Sequence, residues 1–185
     1  MPSRKITDHL IPGNFYHVYN RGNEKTRIFY TEANYNFFLE KYQYYLEDWV
    51  ETFAYCLIPN HFHLLIKVED NSNPETQKIV SQQFRKLFCS YAMAINNQQN
   101  RKGSLFHRPF RRNIIYSNWQ LKRTIFYIHN NPVKHQLTFD YRSFKYSSYQ
   151  DIIQKKDGFL KVNNVLSLFT DLEEFIEYHE YFDGK

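Results

Sequence analysis

The chain has 185 residues, a length that fits one domain with an appendage, and a formal net charge of +5 at pH 7. Aromatic residues make up 19% of it, so it carries enough apolar surface for a packed core. It has neither a signal peptide nor an apolar run long enough to cross a membrane, which argues against a membrane protein and leads us to expect a cytoplasmic one. The positive charge permits a polyanionic partner.

Hydrophobic periodicity predicts the order strand, helix, two strands, helix, strand, helix. The predicted ranges are 15–22, 33–49, a strand pair within 53–68, 76–96, a strand or hairpin over 105–116, and 119–130. Pro59-Asn60 marks the turn between the paired strands, and Pro132 ends the last of these helices.

This order is typical of an α+β fold of the ferredoxin-like or RRM-like type, an antiparallel sheet with helices packed on one face. Residues 1–150 form the predicted domain, and residues 151–185 form a weakly periodic, partly acidic helical tail. The second face of such a sheet is free to carry a site. Cys56 and Cys89 both fall within apolar elements, so we expect two buried free thiols.

His61, Phe62 and His63 lie on one predicted strand. Successive side chains of a strand point to opposite faces, so Phe62 can enter the core while both imidazoles project from the other face. Two adjacent imidazoles are half of a metal site. Histidines on apolar strands also serve packing and hydrogen bonding, and the triplet alone leaves both interpretations open.

Tyr127 and Asn131 are four residues apart and therefore share one face of the last predicted helix. A helix packed beside the histidine strand would bring a phenol and a carboxamide to the imidazoles. Imidazole and amide ligands can hold Mg²⁺ or Mn²⁺ with positions left for phosphate oxygens, and an activated tyrosine can attack phosphorus. The alternative is a tyrosine facing the core, with Asn131 capping the helix end. We expect three other histidines to be surface or packing residues: His107, His129 and His135.

Between Arg101 and Arg123 the chain carries seven basic residues and no acidic one. Cations there can follow phosphates while neighbouring rings stack on unpaired bases; the alternative is a solvated sheet edge. The candidate DNA contacts are Arg21, Phe106, Arg108, Phe110, Arg111 and Arg112.

Taken together and in order, several segments resemble the HUH single-tyrosine transposases, and among them the REP-associated tyrosine transposases of bacteria. The matching segments are 16–22, 28–29, 59–65, 84–96, 105–110, 127–132 and 146–149. The resemblance implies His61 and His63 as ligands of a divalent metal ion and Tyr127 as the nucleophile. It implies a carboxamide ligand at Asn131, where better-known mobile relatives carry Gln.

The resemblance also implies a function: cutting and rejoining of single-stranded DNA beside a hairpin or palindromic repeat, through a covalent 5′-phosphotyrosine. The setting would be DNA transposition or repeat processing in the bacterial cytoplasm, by a homodimer or a monomer. Two other interpretations stay open. One is a non-catalytic single-stranded nucleic-acid-binding module; the other is an HUH enzyme that nicks DNA for plasmid transfer or replication.

Overall fold

A computed structural model describes residues 8–156 and 158–183. Its centre is a four-stranded antiparallel sheet in the order β2-β3-β1-β4. The strands are β1 (Phe15–Arg21), β2 (Val50–Ile58), β3 (His61–Val68) and β4 (Arg111–Ile115). The helices are α1 (Glu32–Leu46), α2 (Thr76–Gln98), α3 (Asn118–His129), α4 (Asn131–Lys134), α5 (Tyr149–Ile153), α6 (Val162–Leu166) and α7 (Leu172–Asp183).

The element order β1-α1-β2-β3-α2-β4 produces the ferredoxin-like arrangement that the sequence predicts. The β2–β3 hairpin turns at Pro59-Asn60, as expected. On one face of the sheet, Phe62 packs against Phe38 of α1 and Phe88 of α2, with ring centroids 5.0 and 5.6 Å apart. The predicted fold class is therefore confirmed.

The third long helix, α3, lies across the opposite face of the sheet and contacts β2 and β3. Its first turn is capped by Ser117, whose Oγ accepts a hydrogen bond from the backbone N–H of Gln120 at 3.2 Å. The two faces of the sheet therefore differ in role. One is buried under α1 and α2, and the other supports α3 above the strand histidines.

The basic strand is shorter than predicted, because β4 begins only at Arg111. Residues 105–110 run irregularly before it, and Pro109 has no backbone N–H to donate to a ladder. Two contacts still tie this segment to the end of β1: Phe106 forms an isolated bridge with Gly22, and the N–H of His107 donates to the carbonyl of Arg21 at 3.0 Å.

Only one of the two cysteines is buried as predicted. Cys56 is fully buried in β2, whereas Cys89 on α2 is exposed. The prediction for Cys89 was wrong because the buried stripe of α2 runs through Phe84, Leu87 and Phe88, and the next residue turns away from it.

The C-terminal residues described by the structure pack onto the sheet and onto α3. Leu160 bridges Thr52 of β2, and the N–H of Lys161 donates to the Thr52 carbonyl at 2.8 Å. Phe175 of α7 is fully buried in the same apolar cluster as the sheet residues. The boundary at residue 150 stays a prediction, and residues 1–7, 157 and 184–185 lie outside the described part.

A buried hydrogen-bond chain joins α7 to α3. The Nδ1–H of His179 donates to the Phe175 carbonyl at 2.8 Å, so its Nε2 accepts from Nδ1–H of His129 at 2.9 Å. Nε2 of His129 then accepts from the hydroxyl of Ser148 at 2.8 Å. Burial lowers the pKa of His179 to about 4 and that of His129 well below its ordinary value, so both rings are neutral. His129 is thus a packing residue, as expected.

Across the described residues, no helix has the length and apolar character needed to cross a membrane.

We expect His179→Ala to lower the free energy of unfolding by about 3 kcal/mol, because it removes buried ring contacts and leaves Nδ1–H of His129 without an acceptor. Urea denaturation followed by circular dichroism measures this loss. Glu177→Ala, at an exposed position of the same helix, should stay within about 0.5 kcal/mol of the wild type. Equal losses in the two variants would contradict the role of the histidine chain.

Candidate active site

Strands β1 and β3 together place a group of rings on the face beneath α3. Tyr19 pairs with His63 and Arg21 pairs with His61 in the antiparallel register. The imidazoles of His61 and His63 lie with their centroids 5.1 Å apart. Both project from the face opposite Phe62, as strand alternation predicts.

Helix α3 brings Tyr127 over these histidines. Its ring centroid lies 5.5 Å from that of His63 and 5.7 Å from that of His17. Asn131, one helical turn further on, is fully buried. Its Nδ2 donates to the Tyr127 carbonyl at 3.2 Å, which turns Oδ1 toward Nε2 of His61 at 3.3 Å. All four residues that the sequence selected for the reaction therefore meet at one place.

The surroundings of His61 suit a cation. Its Nδ1 lies 2.7 Å from Oδ1 of Asn60, and its Nε2 faces Oδ1 of Asn131. Burial is the main cause that lowers the pKa of His61 to about 4, so the ring is neutral and carries one proton. One of its two nitrogens therefore keeps a lone pair, which faces an amide oxygen. With the proton on Nδ1, the unprotonated Nε2 and the Asn131 oxygen converge as two ligands of a metal ion would.

His17 is a member of the site that the sequence analysis missed. Its Nε2 lies 2.9 Å from Nδ1 of His63, and burial lowers the pKa of His17 to about 4 and that of His63 well below its ordinary value. Two neutral rings at this distance share one hydrogen bond. When His63 is the donor, its Nε2 lone pair is free for a ligand role. The signal was available, because alternation along β1 puts His17 on the same face as Tyr19.

His135 also lies beside the site, although it is exposed, as expected of a surface histidine. Its ring centroid is 4.5 Å from that of His61. Its pKa is lowered, first by burial and then by the positive charges of Lys134 and Arg21. Lys134 places its ammonium 4.9 Å from the centroid of the Tyr127 ring. These cations make the entrance to the site electropositive.

The predicted ligand set combines two imidazoles with one amide oxygen. Within residues 8–156 and 158–183, no group of three or more His, Cys, Asp or Glu side chains is arranged to hold a metal ion. The predicted third ligand is instead an amide oxygen, and Oδ1 of Asn131 lies 3.3 Å from Nε2 of His61.

The arginines predicted to contact DNA differ in exposure. Arg21, Arg108 and Arg111 are exposed. Arg112 is half-buried, stacks its guanidinium 4.8 Å from the Phe110 ring centroid, and donates from Nε to the Asp8 carbonyl. Three of the four arginines therefore present their charge freely to solvent.

The two rings in that set are less available. Phe106 is 4% exposed and packs against Phe88 and Tyr91 in the core. Phe110 is partly buried against Phe84 and Phe88, with both centroid distances 5.2 Å. In this structure the Phe106 ring supports the α2 face of the sheet and has no free surface for a base.

No family model matches the chain. A protein of Haemophilus influenzae (strain Rd) named "Putative REP-associated tyrosine transposase" is 29% identical to it over 103 residues. The match covers 54% of this chain and 58% of that protein, so the chain spans less than two thirds of its curated relative. A solved structure of a REP-associated tyrosine transposase bound to a REP hairpin shares its fold, with a TM-score of 0.65 and 15% identity. That similarity extends over 82% of this chain and 87% of the other.

The chain is similar to the REP-associated tyrosine transposases. The resemblance that its motifs indicate is confirmed, in sequence over about half of the chain and in fold over most of it. The site of His61, His63, Tyr127 and Asn131 lies on the shared type of sheet.

We expect the stability of the protein to fall as the pH drops from 7 to 5. Histidines of the unfolded chain titrate near pH 6.5, whereas His17 and His61 titrate near 4 in the folded protein. Between these pH values the unfolded state binds more protons than the folded state. The contribution of these two rings to the free energy of unfolding is therefore fully present above pH 6.5 and is lost as the pH falls toward 4.

Urea denaturation at both pH values measures the loss, and His17→Asn should reduce it by roughly 1–2 kcal/mol. Gln82→Ala, at an exposed position that carries no titrating group, should leave the pH dependence unchanged. A wild-type protein equally stable at pH 7 and pH 5 would contradict the buried, neutral state of these rings.

Proposed function

We propose that this protein is a transesterase that cuts and rejoins single-stranded DNA beside a hairpin-forming repeat, with Tyr127 as its nucleophile. The observation that carries the proposal is the meeting of the Tyr127 ring with His63, and of the Asn131 oxygen with His61, on one face of the sheet. The names of the similar proteins support it, since one relative is a tyrosine transposase and the solved one is bound to a REP hairpin.

The proposed reaction conserves the phosphodiester energy. The Tyr127 oxygen attacks phosphorus, a Tyr127–phosphorus bond forms, and the bond from phosphorus to the 3′ oxygen breaks. The phenol loses its proton and the leaving 3′ oxygen gains one, so the products are a 5′-phosphotyrosine and a free 3′-hydroxyl. A 3′-hydroxyl of another strand end can then displace the tyrosine and restore a phosphodiester.

The residues present fit a divalent metal ion, Mg²⁺ or Mn²⁺. Nε2 of His61, the free nitrogen of His63 and Oδ1 of Asn131 would hold it. When bound, such an ion supplies a Lewis acid that polarises the scissile phosphate. His17 holds the His63 ring through the bond at Nδ1, and Lys134 places positive charge beside the nucleophile, where a phosphate must approach.

The same proposal places the protein in the bacterial cytoplasm and leaves homodimer and monomer as its two predicted states. The exposed charges of Arg21, Arg108 and Arg111 would follow the DNA backbone at the site entrance and along the start of β4. The relatives' names favour transposition or repeat processing over plasmid nicking.

Tyr127→Phe should abolish the covalent adduct, because it removes the attacking oxygen and keeps the ring. The measurement is denaturing electrophoresis after incubation with a labelled hairpin oligonucleotide and Mn²⁺. Tyr44→Phe, at an exposed tyrosine of α1, serves as the matched control and should form the adduct normally. DNA binding without any adduct in the wild type would favour the non-catalytic binding module.

Asn131→Ala should weaken Mn²⁺ binding about tenfold or more, because it removes one of the three proposed ligand atoms. Isothermal titration calorimetry with Mn²⁺ alone measures the affinity. Asn130→Ala, at the adjacent residue outside the predicted ligand set, should bind Mn²⁺ as the wild type does. Unchanged affinity in Asn131→Ala would remove this residue from the ligand set.

A further inference from the structure

A cavity of about 360 Å³ opens beside Tyr127, between α3 and β4. Tyr127 lines it from the helix, and His17, Asn113 and Ile115 line it from the sheet. Its volume is near the lower end of the range for small-ligand sites, roughly 300–1,000 Å³. A cavity of this size suits one nucleotide rather than a folded nucleic-acid element.

Helix α3 presents a regular row of side chains to this cavity. Trp119, Arg123 and Tyr127 are spaced by four residues, so they lie on one face of the helix, and all three line the cavity. Trp119 is 68% exposed. An indole this exposed gains little from the core, and its ring is free to stack on a flat ligand.

The part of the cavity lined by Trp119 and Gln120 lies at the start of α3. The N–H of Tyr116 donates to Oε1 of Gln120 at 2.8 Å, and Ser117 caps the same turn. Gln120, which receives this bond, and Trp119 both line the cavity. Trp119 is therefore presented by the capped first turn of α3.

The polar groups of the cavity suit a nucleotide. Arg123 supplies a positive charge, fixed by stacking 4.1 Å from the Phe182 ring centroid, and none of the described residues that line the cavity is acidic. Asn113 pairs with His17 across β1 and β4, so it lies on the site face. The side-chain amide of Asn113 has no hydrogen-bond partner among the described residues. It can therefore form hydrogen bonds with the edge of a base.

We propose that this cavity holds the unpaired nucleotide adjacent to the scissile phosphate, with its base stacked on Trp119. The inference rests on the proposed function, since it takes Tyr127 as the position of the phosphate. Aromatic stacking tolerates any base, whereas the Asn113 amide adds a preference at this one position. Trp119 is thus a substrate-positioning residue, eight residues before the nucleophile on the same helix face.

The test measures binding by the fluorescence anisotropy of two fluorescein-labelled probes. One is an oligomer of about 20 thymidines, and the other is an abasic oligomer of the same length. Both are longer than a typical single-strand site of roughly 4–16 nucleotides. Trp119→Ala should weaken binding of the thymidine oligomer about tenfold and leave binding of the abasic oligomer unchanged. Trp119→Phe should restore most of the affinity. Tyr44→Ala, at an exposed ring on the opposite side of the sheet, should bind both probes as the wild type does.

Two outcomes would overturn the inference: unchanged thymidine binding in Trp119→Ala, or an equal loss for both probes. A thermal unfolding midpoint equal to the wild type excludes misfolding of the variant. Quenching of indole emission by the thymidine oligomer, lost in Trp119→Ala but kept in Trp49→Phe, provides a second direct measure of stacking. Absence of a covalent adduct in the wild type would defeat the proposed function, yet the binding comparison would still decide whether Trp119 stacks on a base.

Discussion

The antiparallel pairing of β1 with β3 is the constraint on which the site depends. It sets Tyr19 opposite His63, and it puts His17, two residues before Tyr19, on the same face of the sheet. Because side chains alternate along a strand, a slip of one residue would move these rings into the core and Phe62 out of it. The apolar face under α1 and α2 therefore enforces the register, and the histidine geometry follows from the packing of the hydrophobic core.

Burial of the imidazoles has a chemical consequence. Removing them from water disfavours their charged forms, which keeps His61 and His63 neutral and able to act as ligands. Each ring is also held at its second nitrogen, His61 by Asn60 and His63 by His17. These contacts fix the orientation of both rings, as the proposed metal binding requires.

The position of Tyr127 depends on how α3 is held against the sheet. Its buried side is supported from behind by His129, which bonds to His179 of the C-terminal helix and to Ser148. Phe175 fills the core next to this pair. The described part of the C-terminal segment therefore acts as a structural support for the helix that carries Tyr127, the proposed nucleophile.

Local periodicity in the sequence determined the strand and helix pattern, the shared face of His61 and His63, and the shared face of Tyr127 and Asn131. It could do so because each of these depends only on neighbours within one element. Only the tertiary structure decided that the short side chain of Asn131 comes within 3.3 Å of His61, and that His17 supports His63. Those contacts join elements far apart in the chain, and their distances are set by how α3 packs on the sheet, which no local pattern encodes.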